Sequence, residues 1–192
     1  QTQRSYISFP TEIQDKGETF ECDVVFPKKF DRSSQLYFKT SFITSSIFGC
    51  HEAQSDQSNL TWDSTDIANF QVQAIRTEEE SSDVYFQLTG TNGWVLPRLT
   101  SSVFKDVYDN SRWVFALTVK HPNIFGNSLT GSDTLDYEVE FSGYNYLLDV
   151  KQNSFKLTGT IPAASGTAFL TGRKRMFVGA HRTNFDGQTR EL

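Results

Sequence analysis

The sequence of 192 residues has one Met, two Cys and three His, and its densest basic cluster, Arg173, Lys174 and Arg175, is three residues long. Each shortage excludes something. There is no run of about 18 apolar residues, so nothing in it spans a bilayer as a helix. Non-specific nucleic-acid binding needs a basic face that neutralises several phosphates. The basic residues here are scattered, and the net charge is -5. The first residues, Gln1-Thr2-Gln3-Arg4, contain neither an initiator Met nor an apolar signal core, as expected of a processed product or a segment of a longer chain. No Gly-x-Ser-x-Gly elbow marks a nucleophile, and no glycine loop is laid out to cradle phosphate. His51, His121 and His181 follow no metal spacing. Cys22 is in phase with Phe20, Val24 and Phe26, and Cys50 with Phe48. Both are therefore expected to point inward, as buried thiols or as a disulfide. A zinc site would want four clustered ligands.

What the chain does have is aromatic residues, 17 Phe, 7 Tyr and 3 Trp, arranged with a period of two. Phe20, Cys22, Val24 and Phe26 form one alternating set, and Leu36, Phe38, Thr40 and Phe42 another. Ser46 to His51 is a short apolar segment. Phe70, Val72 and Ala74 follow, then Val84, Phe86 and Leu88. Trp113, Phe115, Leu117 and Val119 make the strongest set. Leu135, Tyr137, Val139 and Phe141, then Phe155 and Leu157, then Met176, Val178 and Ala180, complete the series. Alternation of this kind is the mark of strands with one wet face. Turn formers such as Thr91-Asn92-Gly93 and Asp109-Asn110-Ser111 separate them. Roughly ten strands between polar turns predict an all-β fold of two packed antiparallel sheets. No linker or repeat divides residues 1–192, so a single domain is expected. No window carries a helical apolar stripe; Glu12 to Lys16 and Asp63 to Asn69 have room for one helical turn each.

The segment Asp109-Asn110-Ser111-Arg112-Trp113-Val114-Phe115-Ala116-Leu117-Thr118-Val119-Lys120 resembles the turn, Trp and alternating strand of laminin-G-like and concanavalin-like domains. Tyr137 to Asn145 resembles the strand that follows. Arg175-Met176-Phe177-Val178-Gly179-Ala180-His181-Arg182-Thr183-Asn184-Phe185 is similar to a late-strand signature of such domains in large viral structural polyproteins. The resemblance covers roughly residues 35 to 187, and it implies an extended jelly roll, a β-sandwich in which a Trp opens a strand across the core. It departs from the pattern at the end. One further strand beginning Ser-Asp-Val is expected after the signature, whereas the sequence stops at Leu192. Either that strand lies beyond Leu192 or another segment fills its place. A neighbouring copy or subunit adding a strand at an open C-terminal edge is the partner this implies.

Four features could carry chemistry. Asp136, Glu138 and Glu140 alternate along one strand, and concanavalin-like folds include glycosidases that work with paired carboxyls. The order Asp-x-Glu-x-Glu departs from the Glu-x-Asp strand motif of the laminarinase-like enzymes, and no aromatic platform surrounds it. The outer, solvated face of a sheet is the plainer account of the row. His181, Arg182, Thr183 and Asn184 gather polar groups at a strand end, where they would grip a ligand or partner, or stitch the turn to its own backbone. Trp94, beside Asn92 and Gly93, would stack on a sugar ring or cap the core. The resemblance also raises calcium at a loop rim, with Asp106 and Asp109 or Asp63 and Asp66 as the nearest acidic pairs, although a calcium site needs about six oxygens. No other cofactor is expected. Asn59-Leu60-Thr61 matches a glycosylation acceptor for a chain that passes through a secretory route.

These observations favour a non-enzymatic β-sandwich serving as a structural or attachment module of a virus particle or other extracellular assembly, with glycans as the candidate ligand class. A calcium-dependent carbohydrate-binding lectin domain and a glycoside hydrolase using Asp136, Glu138 and Glu140 are the alternatives. The fold alone does not choose among them.

Overall fold

The computed structural model describes residues 7–11, 16–28, 43–52, 70–79, 81–90, 96–123, 134–147, 150–172 and 174–179. Ten strands and one helix run in the order β1 (Ile7–Pro10), β2 (Gly17–Val25), β3 (Thr44–Glu52), β4 (Phe70–Arg76), β5 (Val84–Thr89), β6 (Leu99–Thr100), β7 (Arg112–Lys120), β8 (Tyr137–Leu147), β9 (Val150–Ile161), α1 (Ala163–Thr171) and β10 (Lys174–Val178). They form a two-sheet antiparallel β-sandwich. One sheet has the order β1-β10-β3-β4-β5-β6, the other β2-β7-β8-β9. Apart from Leu135, the described members of the period-two sets land on or beside these strands with their apolar side chains towards the partner sheet. The predicted set from Leu36 to Phe42, Ala180, and the segments with room for a helical turn at residues 12–15 and 63–69 lie outside the described residues.

The core shows why alternation with aromatics gives this fold. Phe86 of β5 sits 4.7 Å, ring centre to ring centre, from both Trp113 and Phe115 of the opposite sheet. It also stacks on Phe155 of β9 at 5.7 Å. Bulky rings on one sheet thus fill the gaps of the other, and all but Phe155 are essentially dry. Gly143 makes the room. It pairs with Phe115 on one side and Phe155 on the other, and a Cβ there would lie 2.6 Å from the Phe155 ring. Cys50 is buried and Cys22 half-buried, both on inner faces, and neither forms a disulfide. Leu135 differs from its expected place. It precedes β8 and is exposed, so the apolar alternation of that strand starts at Tyr137.

The late strand is interior. β10 pairs with β3 on one side and with the N-terminal strand β1 on the other. Among the described residues β1 is the neighbour of β10 on the side away from β3, and the place of the further strand expected after the signature lies outside the described residues.

The helix α1 was not expected, and its composition explains why. Ala163-Ala164-Ser165-Gly166-Thr167-Ala168-Phe169-Leu170-Thr171 has a narrow inward stripe of Gly166, Phe169 and Leu170. That is too little apolar surface to register as a helical pattern. Packing stabilises it instead. Phe169 meets Phe70 at 6.1 Å and Phe20 at 6.4 Å, one ring from each sheet. Gly166 lies against Tyr137, where a Cβ would come within 2.3 Å of the ring. The helix therefore plugs one end of the sandwich while carrying the chain from β9 in one sheet to β10 in the other.

Lys174 holds that plug. It shares the inner face of β10 with Met176, and it is almost wholly buried. Its Nζ donates to the carbonyl oxygens of Phe169 at 2.8 Å, Leu170 at 3.2 Å and Gly172 at 3.2 Å. These belong to the helix C-terminus, where carbonyls lack partners and the dipole favours a cation. The same ammonium pairs with Glu18 of β2 at 2.9 Å and lies 5.2 Å from the centre of the Phe169 ring. Burial pushes the Glu18 carboxyl above its ordinary range, and Lys174 offsets only part of that rise.

Two outcomes follow from this arrangement. Lys174→Met strands the Glu18 carboxylate and the helix carbonyls, and should lower the unfolding free energy by about 3–5 kcal/mol. Adding Glu18→Leu should restore part of the loss. Urea denaturation of the two variants measures this, and a double variant no more stable than the single would refute the pairing. The pH dependence has a definite sign. A carboxyl whose folded pKa is raised contributes stability below its unfolded value, and that contribution is lost as pH rises through the folded value. The stability of the wild type relative to Glu18→Gln should thus be greatest below the ordinary value of 4.5 and fall towards neutral pH. An unchanged difference between acid and neutral denaturation curves would contradict it.

Candidate functional site

Alternation along β8 turns Tyr137, Val139, Phe141 and Gly143 into the core and sends Glu138, Glu140, Ser142 and Tyr144 to the outer face of the four-stranded sheet. Cross-strand register then decides the neighbours. Lys120 of β7 and Thr160 of β9 stand opposite Glu138; Thr118 and Thr158 stand opposite Glu140; Lys156 stands opposite Ser142. Lys120 pairs with Glu138 at 3.1 Å, and Lys156 reaches diagonally to Glu140 at 2.7 Å. Thr118 and Thr19 approach through their hydroxyl oxygens at 3.0 Å. Lys120, Glu138, Glu140, Lys156, Thr158 and Thr160 line an open depression of about 370 Å3.

Part of the predicted acidic row is therefore assembled, with a different character. Glu138 and Glu140 share the face, but Asp136 precedes the strand and is simply exposed. Each glutamate has a lysine as counter-ion, so the row is a charge-balanced ladder rather than a cluster of like charges. Exposed pairs of this kind contribute little to stability, about 0–1 kcal/mol each, and so the face is not committed to holding the fold together. An aromatic residue also belongs to it. Tyr144 lies two positions beyond Ser142 on the same outer face, beyond the residues that line the depression. Its ring meets Tyr146 edge-on at 5.4 Å. The signal was present in the sequence, since Ser142 and Tyr144 keep the parity of Glu138 and Glu140. Lys120 and Lys156 had no such signal, because register between distant strands decides their place.

The same face carries one more ion pair. Arg112 grips Asp23 through Nε at 2.9 Å to each carboxylate oxygen and through Nη2 to Oδ2. This holds the Asp23 carboxyl below its usual range.

The other candidates lie elsewhere. Trp94, His181, Arg182, Thr183 and Asn184 are outside the described residues, as are Asp63, Asp66 and Asn59. The His121 ring is buried against Tyr137 at 4.9 Å, and its Nδ1 accepts the Asn123 N–H at 3.0 Å. Asp109 lies 3.7 Å from Lys28, and the Asp106 N–H donates to Asp83 at 3.2 Å. Among the described residues, no three His, Cys, Asp or Glu side chains are grouped to hold a metal ion. Likewise among these residues, no helix is long and apolar enough to cross a membrane. Comparison with protein-family models, with curated proteins and with solved structures finds no match to the chain.

The surroundings of Cys22 disfavour its thiolate. Burial, and secondarily the Asp23 carboxylate, push its thiol up to about 11. At pH 8 its native-state thiolate fraction should be about a hundredfold below that of the unfolded chain. Reaction with a chromogenic disulfide should show the same ratio in the Cys50→Ala variant, and comparable native and denatured rates would contradict it.

Proposed function

We propose that this chain is a non-enzymatic attachment module that engages glycans through the outer face of its four-stranded sheet. The observation that carries this reading is the open depression on that face, with paired charges, two threonine hydroxyls and a tyrosine further along the same strand. Sugar hydroxyls both donate and accept, so a surface of carboxylates, ammoniums and hydroxyls side by side matches them. Tyr144 offers an apolar ring face with a wet edge. The lysine on each glutamate favours binding over hydrolysis, because a glycosidase needs one carboxyl kept protonated near neutral pH and a second free to attack or activate water. The late-strand resemblance supports placing the module in a virus particle or another extracellular assembly, where an uncommitted sheet face would point outward.

A glycan array probed with the intact chain, with and without a chelator, tests the proposal. Selective binding that survives chelation is expected, and Tyr144→Ala and Lys156→Ala should each weaken it by about fivefold to tenfold, the scale of one stacking contact or one charge-assisted hydrogen bond. Uniformly flat binding would overturn the proposal. Binding abolished by chelation would transfer it to the calcium-dependent lectin alternative.

A further inference from the structure

β9 is the last strand of the four-stranded sheet, and no described residue continues the ladder beyond it. The direction of its backbone groups follows from the other side of that sheet. The Phe26 N–H donates to the Ser111 oxygen at 3.0 Å, and the His121 N–H to the Lys16 oxygen at 2.7 Å. Even-numbered residues of β2 and odd-numbered residues of β7 therefore turn their peptide groups towards each other. Peptide groups alternate in direction along each strand of an antiparallel ladder. Carried through the registers of β7 with β8 and of β8 with β9, this alternation turns the odd-numbered residues of β9 to β8. Ser154, Lys156, Thr158 and Thr160 thus direct their N–H and C=O groups out of the sheet edge.

Soluble proteins blunt such edges with short strands, with Pro or with outward lysines. Val150 to Ser154 are exposed on both faces of β9, and the half-buried alternation begins at Phe155. The stretch from Ser154 to Thr160 contains no Pro. Its lysine, Lys156, is drawn back over the sheet to Glu140 at 2.7 Å rather than across the edge. Phe155 and Leu157 pack against the core but remain half-buried where the sheet ends. The other sheet ends at the same place. A Cβ on Gly159 would lie 2.6 Å from Pro97 and 3.6 Å from Leu99 of β6, so the two layers are flush on this side.

The stretch is complementary to itself. Two antiparallel copies centred on Leu157 set Ser154 opposite Thr160 and Lys156 opposite Thr158 on the outer face. On the inner face Phe155 stands opposite Gly159, and Leu157 opposite its own copy. No like charges meet, and each aromatic ring covers a glycine of the other strand. The remaining edge of this sheet offers no such match. β2 turns Thr19, Glu21 and Asp23 outward, so two β2 edges would bring acidic rows together. Because the layers are flush at β9, the wider six-stranded sheet extends past β2 and obstructs a strand approaching there. We propose that two copies of this chain associate through β9, joining their four-stranded sheets into one continuous sheet about a twofold axis at Leu157.

The twofold closes the assembly. Both β9 edges are consumed at one seam and the β2 edges are left at the outer ends, so the product is a dimer and not a fibre. Thr158 and Thr160 of each copy line the seam on the outer side, which makes the two outer faces one surface. The association rests on backbone pairing and does not depend on what that surface binds.

Sedimentation velocity of the intact chain over a concentration series provides the test. A monomer–dimer equilibrium is expected. Thr158→Pro removes an N–H that faces out of the edge and is not used by β8. It should weaken the dimer by about tenfold or more, because each dimer loses two hydrogen bonds. Circular dichroism melts report whether this variant folds, and a second pair of variants decides the matter if it does not. In a chain carrying Cys22→Ala and Cys50→Ala, Leu157→Cys should give a covalent dimer on mild oxidation, since directly opposed residues lie within disulfide reach. Glu21→Cys on β2 in the same background should not. A monomer at every concentration would overturn the proposal. So would species growing beyond the dimer, or equal cross-linking at the two positions.

Discussion

A lysine ammonium in a dry interior needs every one of its protons satisfied, because an unpaired buried charge is among the most destabilising features a fold can contain. Lys174 meets that demand with three carbonyls of the helix C-terminus and the Glu18 carboxylate. The constraint runs outward from there. The carbonyls are available only if α1 ends where it does, so the ammonium sets the stop of the helix. The helix, so placed, lays Phe169 between Phe20 of one sheet and Phe70 of the other. Its exit delivers the chain into β10, between β1 and β3. Sheet crossover, end plug and interior strand thus depend on one charged group at a position where the strand pattern would take an apolar one.

That dependence also explains which parts of the fold were legible in the sequence. Strands were readable because their signal is local. Trp113, Phe115, Leu117 and Val119 report their shared face without reference to any other part of the chain. The helix was not, because its stability comes from Phe20, Phe70, Tyr137 and Lys174, all supplied by other elements. Lys174 itself read as one third of the densest basic cluster, Arg173 to Arg175. Only its period with Met176 and Val178 hinted at an inward position, and an inward lysine is credible only once acceptors are known. Leu135 failed in the opposite sense, since an apolar residue in phase with a strand need not lie within it.

The candidate face was legible by half for a related reason. Parity along β8 places Glu138, Glu140, Ser142 and Tyr144 together, and parity is a property of one strand. What those residues do depends on Lys120 and Lys156, which arrive from neighbouring strands through register. Three acids in alternation invite a catalytic interpretation. Two acids with a lysine each, and the third off the strand, describe a balanced polar surface. The difference is made by the cross-strand lysines and by where the strand begins.

The two ends of the sandwich have opposite designs. At the end where β8 begins, Tyr137 is buried under α1 and the space between the sheets is plugged. At the end where β8 finishes, the ribbon outruns the core. The strand is held most firmly in between, where Phe141 and Gly143 sit against Phe155. The register shift between Asn145 and Tyr146 lies beyond that anchor, with Gln152 of β9 as the extra residue, and a bulge of this kind increases the local twist away from Glu138 and Glu140. Tyr144 stands at the junction, outward like the acids and in contact with Tyr146.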